Sequence, residues 1–265
     1  MPQYQGLLKK MKTTQASPVQ YVLQLGEEQI PMNELLGKPI QLIHSGRIYC
    51  KDCGNKTKKS FAQGFCYPCM MKSPLASECI MHPEKCQAHL GIGRDMEWEE
   101  KYHLTPQYVY LSKTSGVKVG VTRNDQIPTR WIDQGASAAM IIAQTPNRYL
   151  AGCLEVALKQ HISDKTNWRM MLKNESSEQE LQAVKADLIE QLDDTLQQYL
   201  IDKQEIMEFE YPVIEYPAKV KSLNFDKMPT IEGTLTGIKA QYLMLDQEFV
   251  LNIRKFEGYE VLITV

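Results

Sequence analysis

The chain has no apolar run long enough to span a bilayer, and its first residues, "MPQYQGLLKKMKTTQ", lack an apolar signal core and a cleavage site. No internal repeat or low-complexity tract breaks it, which argues against solenoid and disordered classes. Net charge is only -2 over 265 residues, so the chain as a whole is no generic polyanion binder. These absences point to an ordinary cytoplasmic protein with no membrane partner, long enough for two or three small domains. In a reducing compartment, paired cysteines are expected as metal ligands rather than disulfides.

The charge is unevenly spread. Residues 1–175 carry 22 Lys+Arg and 15 Asp+Glu, a balance of +7; residues 176–265 carry 8 and 17, a balance of -9. A polyanion would be drawn to the first part and repelled by the last.

Six of the seven cysteines fall within forty residues. In "IYCKDCGNKTKKSFAQGFCYPC", Cys50 and Cys53 form one Cys-x-x-Cys pair, and Cys66 and Cys69 form another. Each such turn presents two thiolates on one side, and two turns close a tetrahedron about zinc. In "CIMHPEKCQAH", Cys79, His82, Cys86 and His89 make a second run of four zinc-type donors. Two structural zinc ions are therefore expected, each stabilising a segment too short to bury its own core. Cys153 stands alone among apolar residues and reads as a small buried hydrophobe.

Around this centre the chain reads as α+β. Residues 1–49 are β-rich, and residues 50–100 are the Cys/His region. Residues 101–175 begin with a hairpin: "QYVYLSK" and the alternating "VKVGVT" flank a turn at Gly116. The apolar "ASAAMIIAQT" follows, then "YLAGCLEVALKQHI" at helical spacing. Residues 176–207 read as one long amphipathic helix, opened by a Ser177/Glu180 capping box and striped by Leu181, Val184, Leu188, Leu192, Leu196 and Tyr199. Residues 208–265 read as a small β-barrel or sheet, which can close onto the N-terminal strands.

The hairpin resembles the GIY-YIG superfamily of nuclease domains, with "VYL" (109–111) and "KVG" (118–120) in place of its two tripeptides. The resemblance covers about residues 107–175. It implies Tyr110 at the first motif's tyrosine, with Lys118 replacing the second. It implies a phosphate-contacting arginine at Arg130, or less well Arg123, a metal-binding glutamate at Glu155, and a late asparagine at Asn167. Carried over, Glu155 would hold Mg²⁺ or Mn²⁺ and Tyr110 with Lys118 would position water, giving a divalent-metal-dependent endonuclease acting on DNA or RNA. The family's usual base near the second motif is missing. Each residue also has a structural role open to it: a strand aromatic, an Arg130–Asp133 pair, a Glu155–Lys159 pair. Trp131 reads either as a stacking platform or as a core anchor. More widely, the chain is similar to a bacterial family that shares "YCxDCG…TKKSFxQGFCYPC", "TSGxKVGxTRxxQIPTRWIDQGA" and "GTLTGIKAQYLMLD…NIRK" and has no assigned activity. Two classes stay open: the nuclease, and a non-catalytic zinc-containing module that binds nucleic acid or a protein. Lys51, Lys56, Lys58 and Lys59 support nucleic-acid binding under either.

Overall fold

The computed structural model describes residues 2–162, 165–202 and 205–265. The chain is mixed α+β and divides into two compact units. No helix among the described residues is long and apolar enough to cross a membrane.

The first unit comprises Met1–Met71, Ile132–Gly135 and Phe209–Val265. Both chain termini meet in its main sheet. Gln3–Leu7 pairs antiparallel with Tyr259–Thr264, from Gln3 opposite Thr264 to Leu7 opposite Glu260. Tyr259–Thr264 pairs in turn with Pro39–Tyr49, which pairs with Thr230–Lys239. The sheet continues through Tyr242–Leu245 and Phe249–Asn252 to the short Lys221–Ser222 strand. Alternation drives this pairing: Tyr259, Val261 and Ile263 face inward while the residues between them stay partly exposed. A separate sheet of Lys12–Thr14, Gln20–Leu25 and Glu28–Pro31 buries Tyr21, Leu23 and Leu25 in the same manner. The N-terminal and C-terminal β-rich segments thus form one structure.

The second unit comprises Lys72–Trp131 and Ala136–Glu208. Its sheet runs Met207–Glu208, Ala138–Thr145, Gln107–Lys113, Val117–Arg123. The expected hairpin forms, with Tyr110 opposite Gly120 and Ser112 opposite Lys118. Val109, Leu111, Val117, Val119 and Val121 line one face. Against that face pack Ala151, Leu154 and Leu158 of the Arg148–Leu158 helix, which Asn147 caps.

The long helix expected over 176–207 is not continuous. It is a helix at Leu181–Ile189 and a single turn at Asp194–Gln197, and residues 203–204 lie outside the described set. The capping box does not form: the Ser177 hydroxyl donates to Gln179 Oε1 (3.2 Å), and Glu180 makes no side-chain cap. Asp193 stands at the start of the second turn without a side-chain cap bond, and the break before it leaves Leu192 in the core that Leu181, Val184 and Leu188 already enter.

In the first unit, Lys239 is 2% exposed, with Nζ 5.2 Å from the Tyr211 ring and 5.3 Å from that of Tyr216. Burial pulls its pKa from the ordinary 10.5 down to about 8. Below about pH 8 the lysine is charged in folded and unfolded chains alike, and the desolvation penalty is complete, on the order of 3 kcal/mol. Between pH 8 and 10.5 the unfolded chain binds the extra proton, so stability rises with pH. In urea unfolding, the stability of wild type relative to Lys239→Met should therefore rise as pH climbs through this window. A difference that ignores pH would contradict the assignment.

Candidate metal centres and the sealed carboxylate

Cys50 follows directly on the Pro39–Tyr49 strand, and Cys66 and Cys69 flank the start of the Tyr67–Lys72 helix. A Phe61–Phe65 hairpin returns the chain between the pairs, with reciprocal backbone bonds of 2.8 and 2.9 Å. One sulfur each from Cys50, Cys53, Cys66 and Cys69 lies within 4.8 Å of all the others, and Cys53 and Cys66 Sγ are 3.8 Å apart. Four sulfurs at about 2.3 Å from a tetrahedral zinc would be separated by about 3.8 Å. The cluster fits zinc. Burial alone would raise the Cys50 pKa, but backbone N–H groups of Cys53, Cys66 and Asp52 outweigh it and bring the thiol down to about 6. A coordinating sulfur must be a thiolate, and this one is poised to be.

The second cluster forms from a different set of donors than the spacing implied. Cys79 and Cys86 converge with Glu99 and His103, whose donor atoms again all lie within 4.8 Å of one another. His103 Nδ1 is 3.8 Å from Cys79 Sγ and 3.7 Å from Cys86 Sγ, and it contacts Glu99 Oε2. All four residues are buried. Glu99 and His103 stand four residues apart, on and just past the Met96–Tyr102 helix that Asp95 caps, so one helix face supplies both. Gly93 makes room: a Cβ there would lie 2.5 Å from Glu99 Cγ. The neighbouring Cys86 thiol, helped by His103 and Ser77 and opposed by burial, brings Cys79 down to about 4. Two thiolates, an imidazole and a carboxylate also fit zinc.

His82 and His89 lie outside this cluster. The turns at Glu78–Ile80, Pro83–Lys85 and Ala88–Leu90 rotate both rings outward. His82 is exposed, 3.3 Å from Glu84, and the His89 ring stacks on Tyr149 at 4.4 Å. The sequence signal that could have found the real donors is the Glu-x3-His spacing in "EEKYH", which places both on one helical face.

This metal segment is bolted to the Arg148–Leu158 helix. The buried Arg148 guanidinium donates to the carbonyls of Cys79 (2.8 Å) and Ile80 (2.9 Å), and its backbone N–H donates to His103 O (2.8 Å). At Gly152 the Pro83–Lys85 turn comes so near that a Cβ would lie 2.1 Å from Glu84 N. One turn further along, Glu155 is only 7% exposed, with its carboxylate 3.4 Å from Lys159 Nζ. Burial, the largest influence, raises its pKa.

The other residues implied by the nuclease resemblance are dispersed. Tyr110 is 1% exposed and packs edge-on against Trp131 (centroids 5.8 Å), so Trp131 is a core anchor here and not an open stacking platform. By strand alternation Tyr110 and Lys118 project from the face opposite the one that the Arg148–Leu158 helix covers. Lys118 is also buried. Arg130 is half-buried on the Thr129–Asp133 helix, and Arg123 is paired with Asp125. Asn167 caps the Trp168–Leu172 helix, accepting from the N–H groups of Arg169 and Met170. Cys153 is partly buried on the Arg148–Leu158 helix.

The profile of a family described as "Protein of unknown function (DUF2797)" matches residues 37–261, well over half of the chain. The chain belongs to the DUF2797 family. No curated protein and no solved structure matches it. The DUF2797 match spans both donor clusters and the Arg148–Leu158 helix that carries the clamp.

Two measurements check this geometry. Metal analysis of the purified DUF2797 protein should give two zinc ions per chain. His103→Ala should lose one of them, whereas His82→Ala and His89→Ala should keep both; loss in either of those two would restore the local-spacing assignment. Gly152→Ala should push the Pro83–Lys85 turn off the helix and speed hydrogen exchange at residues 79–90, with a cost of about 2–4 kcal/mol in unfolding free energy. Unchanged exchange there would mean that the turn does not depend on this contact.

Proposed function

We propose that this DUF2797 protein is a zinc-stabilised nucleic-acid-binding module whose four-cysteine loop is the contact surface. Exposed lysines on that loop carry the reading: among the described residues, Lys56, Lys58 and Lys59 face solvent and engage no acidic side chain. Residues 50–72 hold five lysines and one aspartate, a balance of +4. A zinc ion with four thiolates carries -2, and Glu257 pairs with Lys51 at 2.8 Å, which leaves about +1 on the loop. Tyr67, 56% exposed at the loop's edge, adds a face on which a base can stack.

On this reading the GIY-YIG-like hairpin is a scaffold and not a phosphodiesterase. A nuclease carboxylate must reach a hydrated cation, and Glu155 lies under the Pro83–Lys85 turn, beside Lys159, with its proton affinity raised. The reading therefore assigns no Mg²⁺ or Mn²⁺ to Glu155 and no water-activating role to Tyr110 and Lys118.

Oligonucleotide binding should weaken as salt is added, with a log–log slope of roughly -2 to -3 if three phosphates are neutralised. The triple change of Lys56, Lys58 and Lys59 to Glu should cost at least about tenfold in affinity and flatten that slope. No binding at low ionic strength would end the proposal. Cleavage with Mg²⁺ or Mn²⁺ that vanishes in Glu155→Ala would reinstate the nuclease.

A further inference from the structure

A second feature of the Lys72–Glu208 part of the chain points to a ligand of defined chemistry. A pocket of about 490 Å³ opens where the end of the Met96–Tyr102 helix meets the edge of the hairpin sheet. Its walls include Lys101, Tyr102, Tyr108, Arg123, Asn124 and Gln144. The volume falls in the range of small-ligand sites, about 300–1,000 Å³. The lining combines charged and amide side chains with two tyrosine rings and Pro106, which suits a ligand that is part polar and part apolar.

The geometry points to a nucleobase carrying a phosphate, and we infer that this pocket binds one. The Arg123 guanidinium lies 4.7 Å over the Tyr102 ring and is locked by Asp125 through Nε (3.0 Å) and Nη2 (3.3 Å). That fixed plane leaves the Nη1 donors for an anion and costs little ordering on binding. Lys101, with Nζ 5.3 Å from the same ring, adds a second cation. Asp125 cancels one of the two positive charges, so the pocket carries a net +1, suited to one phosphate.

The base has its own platform. Tyr108 stands opposite Gln144 on one neighbouring strand and Thr122 on the other, so all three project from the same face. A base stacked on the partly exposed Tyr108 ring would present its edge to the Gln144 amide, which can donate and accept together. Trp98 backs the site, 4.9 Å from the Tyr102 ring and 4.7 Å from that of the metal-cluster residue His103. The donor cluster thereby fixes one wall of the pocket. The site uses no residue of the four-cysteine loop, and the inference stands without the function proposed there.

The shared chemistry, a base with a phosphate, comes from a free mononucleotide or from an unpaired nucleotide in a strand. Calorimetric titration of the zinc-loaded full chain with AMP, adenosine, inorganic phosphate and a six-nucleotide oligoadenylate separates these. AMP should bind, and adenosine and phosphate alone should bind at least about tenfold more weakly. Tyr108→Ala should cost about tenfold or more, while Tyr108→Phe, which keeps the stacking face, should bind as wild type does. Arg123→Gln should erase the difference between AMP and adenosine. Zinc content and unfolding midpoint, measured on each variant, separate lost binding from lost folding. Oligoadenylate that binds more tightly than AMP, and depends on Tyr108, identifies a strand nucleotide; equal affinities identify a mononucleotide. If AMP fails and oligoadenylate binding ignores Tyr108, the inference is overturned, even where the lysines of the four-cysteine loop still matter. AMP binding with no oligonucleotide affinity leaves it standing while the proposal for that loop falls. Tighter binding of phosphotyrosine than of AMP would also overturn it, in favour of a peptide ligand.

Discussion

A buried guanidinium ties the second donor cluster to the Arg148–Leu158 helix. Arg148 spends its side-chain hydrogen bonds on the carbonyls of Cys79 and Ile80. Burial, the main influence on it, lowers its pKa, while the thiols of Cys79 and Cys86 pull the other way. The charge balance explains why the arrangement is tolerable. Zinc bound by two thiolates, one carboxylate and a neutral imidazole would carry -1, which one guanidinium would balance. Removing either side would strand the other as an unpaired buried charge.

That balance has a consequence for chemistry. The turn following Cys79 and Ile80 runs along the Arg148–Leu158 helix and reaches Gly152 at backbone contact distance. The same closeness that anchors the metal segment covers Glu155. A carboxylate that the nuclease resemblance assigned to a divalent cation is thereby left buried next to a lysine. Structural closure and an open catalytic site compete for this helix face, and closure occupies it.

Legibility followed range along the chain. The four-cysteine cluster could be read because each Cys-x-x-Cys turn carries its own geometry, whatever surrounds it. The hairpin could be read because strand alternation is local, as could the helix after it. The second cluster misled because His82 and His89 sit among its cysteines in sequence, while the donors that arrive, Glu99 and His103, come from the following helix. The 176–207 segment misled because its apolar stripe continues past a break. Leu192 stays on the buried side across the interruption at Asp193, so periodicity alone could not show the helix ending.

Residue order by itself determined the thiol pairs and the paired strands, since each depends on spacings of a few residues. Only the tertiary structure decided which imidazole and which carboxylate join Cys79 and Cys86, that the two termini share a sheet, and that Tyr110 and Glu155 are enclosed. Coordination and burial are governed by separations of a few ångströms in space. Sequence distance does not encode these once the chain has turned back on itself.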